Sequence, residues 1–129
     1  MKKTTEDYVK MIRILQKKNG TVRSIAIAEA FGVSKPTVSN IVKRLAAEGY
    51  ITVGKDHLIE LTEKGLLLAD ETIERNRTIR DLLISLGVEK SVAETDACEM
   101  EHAVSAQSLA ALKSLAIQKN SKICIDANH

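Results

Sequence analysis

The sequence predicts a mainly α-helical chain in two parts: three short helices closed by a β-hairpin, then a set of longer helices. Three observations carry this prediction. Aromatic residues are scarce, with two Tyr, one Phe and no Trp, so the core must be built from Leu, Ile, Val and Ala, which suits packed helices. Apolar residues recur at helical spacing through most of the chain. The exception is Tyr50-Ile51-Thr52-Val53, Gly54-Lys55-Asp56-His57 and Leu58-Ile59-Glu60-Leu61, which reads as strand, turn and strand.

Each element follows from its residues. Residues 5–19 place Tyr8, Met11, Ile12 and Leu15 on one helical face, with Thr4 or Thr5 as a cap and Asn19-Gly20 as a stop. A second helix over 24–31 buries Ile27, Ala28 and Phe31, and Gly32-Val33-Ser34 makes a tight turn. Ser34 caps a third helix in which Pro36 sits in the first turn, where a missing N–H costs nothing. This helix buries Val38, Ile41, Val42 and Leu45 and stops near Glu48-Gly49. Helix, glycine-containing turn, helix and then a hairpin with a basic tip make a winged helix-turn-helix over residues 1–65.

The third helix turns a polar face outward. Ser34, Lys35, Pro36, Thr37, Ser39, Asn40 and Lys43 form the candidate DNA-contacting set, made of short donors and cations suited to base edges and phosphates. The charge distribution agrees. Residues 1–65 carry 12 Lys/Arg against 7 Asp/Glu, whereas residues 66–129 carry 7 against 10, an asymmetry hidden in a net charge of +2. A basic front half points to a polyanion at one end only. The scarcity of aromatic rings argues against a reader of single strands, which would stack bases on them.

The rear half, residues 66–129, reads as all-helical. Thr62 caps a long helix that runs to about Leu86, and Ser91-Val92-Ala93-Glu94 has the pattern of a capping box at the start of the next. A further helix spans about Ala106 to Gln118, followed by a tail without strong pattern that holds Cys124 and His129. These helices have more apolar surface than one short chain hides, so a homodimer is expected, with Leu82, Leu83 and Leu86 as interface candidates.

Other classes are disfavoured. Met1-Lys2-Lys3 is followed by the polar run Thr4-Thr5-Glu6-Asp7, not by the apolar core of a secretion signal, and no segment has the length of a membrane span. Two cysteines, Cys98 and Cys124, make no disulfide framework, so a cytoplasmic protein with reduced thiols is expected. The chain has no H-E-x-x-H and no glycine-rich phosphate loop, and an enzyme is not expected.

One cluster stands out. Within Ala97-Cys98-Glu99-Met100-Glu101-His102-Ala103-Val104-Ser105, a thiol, a carboxylate and an imidazole fall at i, i+3 and i+4, on one face of one helical turn. Such a mixed donor set suits a divalent transition metal better than magnesium or calcium.

Four landmarks in order now carry a family resemblance. They are Thr5-Glu6-Asp7-Tyr8, Val33-Ser34-Lys35-Pro36-Thr37-Val38-Ser39, Leu61-Thr62-Glu63-Lys64-Gly65, and the segment from Ala97 to Ser105. Over residues 4–115 the chain resembles the metal-dependent repressors related to the diphtheria toxin repressor and the manganese transport regulator. The resemblance implies a dimeric repressor of metal uptake that binds double-stranded operator DNA when loaded with iron(II), or next manganese(II). It implies that residues 66–129 form the dimerisation and metal-binding domain. It also implies that Asp7 is a metal ligand, joined by Cys98, Glu101 and His102, and that no third, SH3-like domain follows.

The chain departs from the family pattern at several positions. Asn76 stands where the family usually has a ligating His, and Arg80 where iron-dependent members use a carboxylate. Lys10 replaces a carboxylate of the manganese branch, and Glu94 falls where some members have another His. Cys98 matches the iron-dependent members, whereas the manganese branch has a carboxylate there. A single metal site per chain is therefore expected. The alternative is a winged-helix regulator that has lost metal dependence.

Overall fold

The structure is a computed structural model that describes residues 2–127, with side chains as far as residue 116. Six α-helices and a two-stranded sheet follow one another as α1 (Lys2–Asn19), α2 (Ser24–Phe31), α3 (Lys35–Ala47), β1 (Ile51–Val53), β2 (Ile59–Leu61), α4 (Glu63–Ser85), α5 (Lys90–Met100) and α6 (Ala106–Ala127). A single 3₁₀ turn, Lys55–His57, joins the strands. The chain divides into two compact units, residues 1–72 and 73–129, with the division inside α4.

The first unit has an aliphatic core built from Ile12, Val22, Ile27, Val38, Val42, Leu45, Ile51 and Ile59, with Tyr8 among them. Its few rings are used together. Tyr8 and Phe31 stack with centroids 4.5 Å apart, a contact worth about 0.5–1.5 kcal/mol beyond the area it buries. The turn between α2 and α3 works as read from the sequence. Gly32 takes the left-handed conformation at φ 65°, and the Ser34 side chain accepts a hydrogen bond from the Thr37 amide.

The wing is short and antiparallel, pairing Ile51 with Leu61, Thr52 with Glu60 and Val53 with Ile59. The Ile59 amide also donates to the Val22 carbonyl at 2.8 Å, which ties the wing to the segment before α2.

Immediately after the wing, Thr62 reaches in two directions. Its hydroxyl donates to the Gly49 carbonyl at 2.6 Å and accepts from the Gly65 amide at 3.1 Å. The backbone of Gly65 lies so close to Tyr50 that a Cβ there would sit 2.0 Å from the Tyr50 carbonyl oxygen.

The second unit buries Ile79, Leu82, Ala93 and Ala97. Small residues on α5 let helices approach closely, as an aliphatic core without large rings requires.

Several expectations need correction. The first helix begins at Lys2, and Thr5 is a buried residue inside it, not a cap. Ser91 does not form a capping box with Glu94: α5 begins at Lys90, Glu89 is its N-cap residue, and the Ser91 hydroxyl donates to the Glu89 carboxylate at 3.0 Å. The last helix continues to Ala127, well past Gln118. Leu82 is buried within the chain, whereas Leu86 is 58% exposed and remains free to meet a partner. Cys124 and His129 lie outside the residues whose side chains are described.

The contact at Gly65 gives a test of the fold. Gly65→Ala should destabilise the protein by about 1–3 kcal/mol, because backbone and not a flexible side chain must give way. Urea unfolding followed by circular dichroism measures this, and an unchanged midpoint would contradict the packing described.

Candidate metal centre and nucleic-acid interface

Two sets of functional side chains were expected: the DNA-contacting residues of the front half, and a metal-ligand set with Asp7 on the front half and Cys98, Glu101 and His102 on the rear half.

On the first unit, all seven candidate DNA-contacting residues are exposed: Ser34, Lys35, Pro36, Thr37, Ser39, Asn40 and Lys43. The reason is helical periodicity. Val38, Val42 and Leu45 face the core at i, i+4 and i+7, which turns Ser39, Asn40 and Lys43 outward. Ser34 is committed to capping, with its hydroxyl 2.8 Å from that of Thr37. The residues left to read a base edge are therefore further along the helix, and Asn40 is the one whose side-chain amide offers a donor and an acceptor on separate atoms.

The wing adds exposed Lys55 and His57. Its tip is held in an unusual backbone conformation, with Asp56 at φ 64° and His57 at φ 60°. Arg23, just before α2, donates from Nε to the Asp56 carbonyl at 3.2 Å. The rest of that guanidinium carries its charge beside the wing. Periodicity had offered no sign of this contact, since Arg23 and Asp56 are separated by most of the helix-turn-helix.

Asp7 lies in α1 and is half-buried. Burial first, and then the negative charge of Asp7, hold the phenol of Tyr8 above its usual range. Its neighbour Glu6 is buried, with the Lys2 ammonium 4.0 Å away.

On the second unit, Cys98 lies in the last turns of α5, but the helix ends at Met100, and Glu101 is its C-cap residue. Glu101 keeps right-handed backbone angles, φ −56° and ψ −29°, so the helical course is carried just past the end of the helix. The i, i+3, i+4 spacing therefore holds for Cys98 and Glu101, while His102 follows in a turn. Glu101 is fully buried at 0% exposure, and His102 Nε2 is 3.4 Å from Glu101 Oε1.

A buried carboxylate is costly unless its charge is met. Glu101 and the adjacent imidazole present an oxygen and a nitrogen to the same small region. This is a donor pair that a divalent transition metal fits, since carboxylate and imidazole are both ordinary ligands for such ions. Cys98, by contrast, is exposed, and its sulfur accepts a hydrogen bond from Asn76 Nδ2 on α4 at 3.5 Å. Arg80, one turn further along α4, has its Nε 3.0 Å from Asp81 Oδ1, and Glu74 pairs with Lys113.

Residues 1–67 match the domain described as iron dependent repressor, N-terminal DNA binding domain. Residues 62–118 match iron dependent repressor, metal binding and dimerisation domain. The chain is 39% identical over 108 residues to the transcriptional regulator MntR of Escherichia coli O6:H1, covering 84% of this chain and 70% of that protein. It is 36% identical over 103 residues to the iron-dependent repressor IdeR of Mycobacterium tuberculosis H37Rv, covering 79% of this chain and 45% of that one. Among solved structures, a manganese-dependent transcriptional repressor in complex with manganese superposes with a TM-score of 0.78 at 29% identity, covering 87% of this chain and 52% of that chain. The chain thus spans about half the length of that structure.

Proposed function

From the premise that the chain belongs to the iron-dependent repressor family, we propose that it is a divalent-metal-responsive transcriptional repressor that binds operator DNA as a dimer and regulates metal uptake. Residues 1–65 are the DNA-binding half on this reading, and 66–129 the dimerisation and metal-binding half. The observation that carries it is the fully buried Glu101 carboxylate with the His102 imidazole 3.4 Å away, an oxygen and a nitrogen donor of the kinds that divalent transition metals bind.

Asp7, Cys98, Glu101 and His102 are the proposed ligands, Asp7 on the resemblance alone. Two carboxylates, an imidazole and a thiolate favour iron(II), with manganese(II) weaker because a thiolate is not its preferred donor. With one donor on the DNA-binding half and three on the rear half, loading would shift the chain toward its DNA-competent arrangement. The shift can be no larger than the difference in metal affinity between the two arrangements.

A second reading, a winged-helix regulator without metal dependence, draws support from Asn76 and from Arg80, whose Nε is engaged by Asp81. Metal-dependent DNA affinity separates the two readings.

Three predictions test the proposal. On DNA selected from a random pool, Asn40→Ala should relax base preference at one position per half-site at a cost of about 1–3 kcal/mol. Lys43→Ala should weaken all sequences alike and lower the salt slope by about one unit. An unchanged preference in the Asn40 variant would remove that residue from the readout.

For the metal, equilibrium dialysis should find one cobalt(II) per chain. His102→Ala should abolish activation of DNA binding by metal while leaving the apo fold intact by circular dichroism. Asp7→Ala should retain some binding but uncouple it from DNA affinity. Equal DNA affinity of the wild-type protein with and without iron(II), manganese(II) or cobalt(II) would leave the metal-independent reading in place.

For assembly, the second unit exposes Ile84, Leu86, Val92, Met100 and Leu115. Sedimentation should give a dimer at micromolar concentration without metal, and Leu86→Glu should weaken it. A wild-type apo monomer would contradict this.

A further inference from the structure

Asn76 occupies the position at which the resemblance leads to an imidazole ligand, yet it meets Cys98 with its amide nitrogen, Nδ2 to Sγ 3.5 Å. The chemistry of that atom is restrictive. The lone pair of an amide nitrogen is delocalised into the carbonyl, so the group donates hydrogen bonds but does not bind a metal. A nitrogen turned toward the sulfur is therefore committed to supporting the ligand, not to joining it.

We propose that Asn76 is a positioning residue for Cys98: its side-chain N–H holds the sulfur from outside the coordination shell and sets how that sulfur binds a metal. The proposal rests on the metal-centre reading given above and goes beyond it by assigning a role to a residue that is not a ligand.

The setting supports the assignment. Asn76 is half-buried on α4, whereas Cys98 is exposed near the end of α5. An exposed sulfur on a helix near its last turn has rotamers to choose from, and an anchored donor restricts that choice. On the same stretch of α4, Glu74 pairs with Lys113 and Arg80 with Asp81. The group that donates to the sulfur is a neutral amide with a fixed charge state. Hydrogen bonds from outside the shell orient ligands and tune them electronically. An N–H donor draws density from sulfur lone pairs, which raises the energy of charge transfer from sulfur to metal.

The test uses the full chain with cobalt(II) alone as the probe. Asn76→Leu keeps the approximate shape and removes the donor, and Asn76→Gln keeps an amide N–H. In the Leu variant the sulfur-to-cobalt band should move to lower energy and cobalt(II) affinity should fall by about 10–100-fold. The Gln variant should move the band back toward its wild-type position.

Independently of any metal, the side-chain amide resonance of Asn76 in the apo protein should shift on Cys98→Ala. A Leu variant that folds normally and keeps the wild-type band overturns the proposal, as does an Asn76 resonance indifferent to Cys98. The two failures stay distinct. If the wild-type protein shows no thiolate band while the amide resonance still responds to Cys98, it is sulfur ligation that fails, and the positioning role for a bound metal falls with it.

Discussion

The close approach of Gly65 to Tyr50 is the contact on which the arrangement of the first unit depends. The recognition helix α3 ends at Ala47, and within a few residues the chain must enter the wing, leave it, and start α4. Thr62 binds the Gly49 carbonyl with its hydroxyl, and its own amide donates to the Tyr50 carbonyl at 3.0 Å. Lys64 donates to the Glu48 carbonyl at 2.9 Å and lies 4.3 Å from the centre of the Tyr50 ring. The last carbonyls of α3 are met by the amides of Glu48, Gly49 and Tyr50, and the carbonyls of those three residues are met in turn by Lys64 and Thr62. Only glycine at 65 lets the two backbones come that near. The end of the recognition helix is consequently fixed to the first turn of α4.

That lock explains why so small a wing suffices. Three residues per strand bury little, and an isolated two-stranded hairpin is marginal in water. Here Ile51 and Ile59 are buried in the first unit's core, Val22 extends the hydrogen bonding of Ile59, and Thr62 closes the far end. Arg23 then steadies the tip through the Asp56 carbonyl, where two residues other than glycine take positive φ. Backbone strain of this kind persists only where surrounding contacts over-determine it. The wing is a supported loop more than a sheet.

Much of this was legible in the sequence because it is local. The left-handed Gly32, the Ser34 cap, the buried stripe of Val38, Val42 and Leu45, and the capping role of Thr62 all follow from residues a few positions apart. What was not legible is what depends on distance along the chain. Nothing in Leu61-Thr62-Glu63-Lys64-Gly65 alone says that Gly65 must make way for Tyr50. Ser91 and Glu94 have the spacing of a capping box, but Glu89 was nearer and won the hydroxyl. The spacing of Cys98, Glu101 and His102 marked a donor cluster. The partner of Cys98, however, is 22 residues away on another helix, and no periodicity could supply it.

The same distinction bears on how a metal centre of the proposed composition would discriminate. Glu101 and His102 are adjacent in sequence, and one is buried beside the other at a helix end, so their relative placement comes with the local backbone. An oxygen and an imidazole nitrogen so arranged accept most divalent transition ions, and affinity there follows the general order with little selectivity. The thiolate is the donor that separates a softer preference from a harder one, and Cys98 is the most exposed and least locally constrained of the three. Discrimination would therefore rest on the ligand whose position is set by contact between helices, not by the chain's own turn. On the proposed reading, α4 is central to both functions. Its first turn locks the recognition helix through Gly65, and three turns later its Asn76 amide meets the sulfur that selects the metal.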